Sequence, residues 1–90
     1  MINLVWDSSF KRAYKTRIKP DALLKQKFWD ALELFSKHPF DSHLKTHELS
    51  GKLHGLWAFS VAYDCRVVFK FFNGKKSALL IDIGTHEEVY

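Results

Sequence analysis

Apolar residues recur along this chain with two different periods, and the change from one to the other divides it. Ile2 to Trp6 reads as a short strand, after which Asp7, Ser8 and Ser9 offer oxygens suited to capping a helix N-terminus. Phe10, Ala13, Tyr14 and Ile18 come next at helical spacing, with Lys11, Arg12, Lys15 and Arg17 around the rest of the circumference. Lys19-Pro20-Asp21 ends this helix and starts another, because proline disfavours helical geometry in the residue before it yet fits the first turn of a new helix. Leu24, Phe28, Ala31, Leu32 and Phe35 share one face of that second helix, which should stop near His38-Pro39. Two amphipathic helices joined so tightly form a hairpin with one apolar side to bury.

From Phe40 to Gly55 the period is lost, and Ser42, Ser50, Gly51 and Gly55 mark a long polar loop. Three β-like runs come after it: Leu56 to Tyr63, Cys65 to Phe72 and Ser77 to Ile83, with turns at Tyr63-Asp64 and at Asn73-Gly74. In the middle run Cys65, Val67, Phe69 and Phe71 project to one face, which should receive the helices. Arg66, Val68, Lys70 and Phe72 project to the other. The predicted order is β-α-α-β-β-β, an α+β fold in which a helical hairpin packs on an antiparallel-rich sheet. Ninety residues suit a single domain spanning positions 1–90.

Composition changes the picture in two respects. Aromatic residues make up 16% of the chain, which argues for a core of large rings and against disorder. A formal charge of +4 suits a polyanionic partner, although a charge this modest also suits an ordinary solvated surface. The lone Cys65, set among apolar neighbours, reads as an inert core thiol, and no stretch is apolar enough for a signal peptide or membrane span. A cytoplasmic protein is expected.

Candidate chemistry is narrow. There is no phosphate loop, nucleophile elbow or dinucleotide fingerprint. His43 and His47 have the spacing of an i, i+4 metal pair, but they sit in a loop without further ligands at suitable spacing, so neither a metal nor another cofactor is expected. Histidine also transfers protons near neutral pH. RNA is cut without metal when one group takes the 2′-hydroxyl proton, another protonates the leaving 5′-oxygen, and cations stabilise the phosphate. In an antiparallel meander, Arg66 near the start of one strand lies beside the end of the next, so Arg66, His86 and Tyr90 can converge. His47 and His54 join them only if their loop folds back.

These features resemble the RelE/ParE toxin superfamily of bacterial type II toxin–antitoxin systems, and within it the RelE-like and YafQ-like messenger-RNA interferases. The similarity runs through His47-Glu48-Leu49-Ser50-Gly51 with Gly55 and Trp57, Asp64-Cys65-Arg66-Val67-Val68-Phe69-Lys70, and Gly84-Thr85-His86 through Tyr90. It implies a toxin that cleaves ribosome-bound messenger and is silenced by a cognate antitoxin in a hetero-oligomer. It further implies catalytic roles for His86 as proton donor, His47 and Asp64 around the base, Arg66 on the phosphate and Tyr90 in stacking. Lys45, Lys52, His54 and Lys70 are the candidate RNA-binding residues, His54 also being readable as a plain surface side chain. Where YafQ-like proteins carry a further strand histidine this chain has Ser60, and where they carry tryptophan it has Cys65. Alternative outcomes are a ParE-like gyrase inhibitor, or a catalytically degenerate domain that still binds antitoxin. Structural explanations also exist: His47 as a solvated loop residue, Asp64 as a turn former, and His86 within a Thr85-x-x-Glu88 capping box.

Overall fold

The computed structural model describes residues 1–85. Strand β1 (Asn3–Trp6) leads into α1 (Ser8–Ala13), which continues as a wider π-helical turn over Tyr14–Ile18. Helix α2 (Ala22–Lys37) comes next, then β2 (His47–Glu48), a short 3₁₀ turn (Gly51–Leu53), β3 (Trp57–Ala62), β4 (Cys65–Phe72) and β5 (Ser77–Gly84). The five strands form one mixed sheet in the order β1-β5-β4-β3-β2. Among the described residues β1–β5 is the parallel pair and the other pairs are antiparallel.

Expected and observed elements agree within a residue or two, except in the loop. The segment expected to be irregular from Phe40 to Gly55 contains β2, so the sheet gains a strand that two residues could not announce by periodicity. The start of α1 also differs from expectation. Asp7 occupies the N-cap without a side-chain capping bond, whereas Asp21 caps α2 by accepting from the Leu24 N–H at 3.0 Å. The Ser9 hydroxyl instead lies 2.6 Å from the Asp7 carboxylate and 2.7 Å from the Ile81 carbonyl.

The helices cover one face of the sheet, as the alternation in Cys65 to Phe71 predicts. Phe10, Ile18, Phe28 and Phe35 from the helices meet Phe59, Val67, Phe69 and Leu80 from the strands in a closed core. Phe35 stacks on Phe59 with ring centroids 4.5 Å apart, a spacing at which aromatic pairs add stabilisation beyond area burial. On the opposite face Leu49, Ala58 and Val68 form a second, smaller buried cluster, flanked by Leu53 and Leu56. Val68 would expose an apolar patch there, and the 49–56 segment folds over it.

A β-bulge interrupts the alternation within Ala78 to Ile83. Val68 pairs with Asp82 but Phe69 pairs with Leu80, so Ile81 is the extra residue. Leu80 and Ile83, three positions apart, therefore both enter the helix-side core, which strict alternation would forbid. The Ile81 carbonyl, displaced from regular pairing, is the acceptor that Ser9 reaches.

Candidate active site

The outer face of the sheet, beside the second cluster, carries His47, Arg66 and Lys70. Cross-strand register fixes their rows. His47 lies opposite Ala58, Ala58 opposite Val68, and Val68 opposite Asp82. One row further along, Ser60 lies opposite Arg66, and Arg66 opposite Gly84. The loop thus folds back and brings His47 onto the sheet that bears Arg66. Two strand spacings and one two-residue step separate their Cα atoms by roughly 12 Å.

Arg66 is half-buried and adjoins the end of β5, where the meander was expected to place it. With His43, Lys45, Ser60, Val61, Ala62 and Tyr63 it lines a concavity of about 290 Å³. Two cations on one concavity suit a phosphate. Lys45 reaches this position through a left-handed backbone (φ 52°) that turns the chain just before β2. The Leu44 carbonyl accepts from the Ser60 N–H at 2.7 Å, tying the turn to β3.

His47 is exposed and lines a different concavity, with Glu48, Leu49, Ser50 and Leu53. Its Nδ1 is 2.9 Å from the Lys45 carbonyl, and since a carbonyl only accepts, Nδ1 carries the proton. In the neutral ring Nε2 is then the basic atom. Asp64 occupies the β3–β4 turn and lines a third concavity with Arg17, Leu24, Cys65, Ile83, Gly84 and Thr85. The structure therefore groups Lys45 with Arg66, but sets His47 and Asp64 around neighbouring hollows. Lys52 and His54 are exposed at the 3₁₀ turn, and Lys70 is exposed on β4, two residues beyond Val68 on the outer face. His86 and Tyr90 lie outside the described residues.

Cys65 is 8% exposed, and burial pushes its thiol pKa up, so it stays protonated and behaves as core. Among the described residues no group of three or more His, Cys, Asp or Glu side chains could hold a metal ion. No described helix is long and apolar enough to cross a membrane. Two members of the Arg66 concavity carry no signal in the sequence beyond a bland one. His43 stands out there only as half of a metal-like pair, and Tyr63, 99% exposed, only as a turn residue.

No protein-family model matches the sequence, and no curated protein matches it significantly. Solved structures do match. A YoeB/ParE toxin from Agrobacterium tumefaciens superposes with a TM-score of 0.78 at 24% identity, covering 94% of this chain and 99% of that one. The fold is that of the RelE/ParE toxins. A metal-bound toxin from Helicobacter pylori shares this RelE/ParE fold with a TM-score of 0.78 at 20% identity over the whole of both chains. YafQ in the DinJ–YafQ complex from E. coli does so with a TM-score of 0.71 at 20% identity, covering 100% of this chain and 99% of that one.

Proposed function

We propose that this protein is the toxin of a type II toxin–antitoxin pair and acts as a metal-independent endoribonuclease on ribosome-bound messenger. The observation that carries this is the shared concavity of Arg66 and Lys45, on a RelE/ParE fold, with Arg66 directly opposite the Gly84 that precedes Thr85-His86. Cleavage needs a base to take the 2′-hydroxyl proton as that oxygen attacks the adjacent phosphorus. The P–O5′ bond then breaks and an acid protonates the departing 5′-oxygen. Arg66 and Lys45 stabilise the charge that gathers on the phosphoryl oxygens, His86 is the acid, and Tyr90 stacks on a base. Lys52, His54 and Lys70 extend the contact with the RNA backbone, and His47 and Asp64 assist around the reacting nucleotide.

A cognate antitoxin protein is the natural partner. The E. coli neighbour was solved as a complex of this kind, as was a Staphylococcus aureus YoeB–YefM pair. Purified protein added to a translating extract is expected to cut the messenger within the ribosome. Intact messenger there, together with DNA-damage signalling and filamentation in induced cells, would replace this function with gyrase inhibition of the ParE kind.

A further inference from the structure

The concavity bearing Arg66 and Lys45 holds one imidazole among the described residues, and it is His43. His47 and Asp64, the two groups expected near the base, each line another hollow. His43 also has what a working base needs, namely a carboxylate that fixes its ring. Asp41 Oδ1 lies 2.9 Å from His43 Nδ1 and also accepts the His43 backbone N–H at 2.9 Å. Those two bonds, the backbone one foremost, hold the Asp41 pKa below the ordinary carboxylate value, so the group is an anion that only accepts. The proton therefore sits on Nδ1, and Nε2 is the atom available to substrate in the neutral ring. His43 is 87% exposed at its side chain, so RNA can reach it, and it lines the same wall as Ser60.

We infer that His43, oriented by Asp41, is the general base that takes the 2′-hydroxyl proton of the nucleotide held by Arg66 and Lys45. His43 Nε2 gains that proton, the new 2′-O–P bond displaces the 5′-oxygen, and the acid group supplies the proton this oxygen needs. Asp41 is a positioning residue. Among the described residues the charged and titratable groups around His43 are Lys27 and Asp30 from α2, Asp41 and Lys45 from its own loop, and Tyr63 and Arg66 from the β3–β4 hairpin. Such a role presupposes that the protein cuts RNA.

The test is single-turnover cleavage of ribosome-bound messenger from pH 5 to 9 by wild type, His43→Ala and Asp41→Asn. His43→Ala is expected to lower the rate by about 10²–10⁴-fold, the usual range for a lost general base, and to abolish the acidic limb on which the base must shed its proton. Asp41→Asn removes the carboxylate that fixes the His43 ring, so a rate loss of about tenfold is expected in the chemical step, with messenger binding unchanged. Both positions lie on an exposed turn, and unchanged melting temperatures separate chemistry from folding. Wild-type cleavage matched by His43→Ala, with the acidic limb intact, overturns the role of His43 alone. Wild type that leaves the messenger whole overturns the endoribonuclease function and this role with it.

Discussion

Replacing Leu49 by alanine tests whether the outer cluster holds the active-site loop in place. Leu49 is 7% exposed and packs with Ala58 and Val68, directly after β2, and its N–H donates to the Leu56 carbonyl at 2.8 Å. The substitution removes the branched end of a buried side chain. At about 0.8 kcal/mol per methylene-sized group, this costs roughly 2 kcal/mol. The cavity term seen in closed cores should be small, because the cluster sits under a surface loop and can collapse. In a domain of this size the loss equals a fall in melting temperature of roughly 8–16 °C if the loop and the main core unfold together. If instead the loop opens by itself, urea unfolding changes less and hydrogen exchange at the Leu49 amide accelerates. Both measurements are made on the same variant. An unfolding free energy within about 0.5 kcal/mol of wild type, combined with unchanged exchange at Leu49, would refute the idea that this cluster anchors His47 and Lys45.

Two further outcomes are expected. Cys65 should resist alkylation by iodoacetamide at pH 8 in the folded protein and react readily in 6 M urea; fast modification under native conditions would place the thiol at the surface. Asp7 and Asp41 both have lowered folded-state pKa values, Asp7 chiefly from the Ser9 hydroxyl and Asp41 chiefly from the His43 N–H. Groups of this kind stabilise the fold fully above the unfolded carboxylate value of about 3.9 and lose that contribution as pH falls through the lower folded value. Urea midpoints should therefore drop below pH 4, and by less in an Asp7→Asn, Asp41→Asn double variant; an equal drop in both would show that these carboxylates play no part.

The parts legible in the sequence were those with a repeated pattern. Helix α2 announced itself by Leu24, Phe28, Ala31, Leu32 and Phe35, and β4 by the alternation of Cys65, Val67, Phe69 and Phe71. Strand β2 could not be seen, because two residues carry no period and its pairing depends on Trp57 and Ala58 lying free at the edge of β3. For the site, the position of Arg66 beside the end of β5 followed from the meander alone. The neighbourhood of His43 did not, since it depends on Lys45 adopting a left-handed backbone and on Asp41 reaching two residues forward. Neither is a matter of composition or spacing.

The bulge at Ile81 has a consequence for how the sheet can vary. It acts as a half-turn inserted into the strand, so the side faced by each residue from Asp82 onward is out of phase with Ser77 to Leu80. Ser9, on a helix seventy-two positions away in sequence, holds the carbonyl of that inserted residue. Flattening the bulge without shortening β5 would set Ile81 opposite Val68 and exchange the faces of Asp82 and Ile83, turning an apolar side chain outward and a carboxylate into the core, whereas deletion of Ile81 would leave both faces as they are. The inserted residue, met at its carbonyl by the first helix, thus sets which face the end of β5 presents, and loss of that one residue is the change of length the strand should bear best.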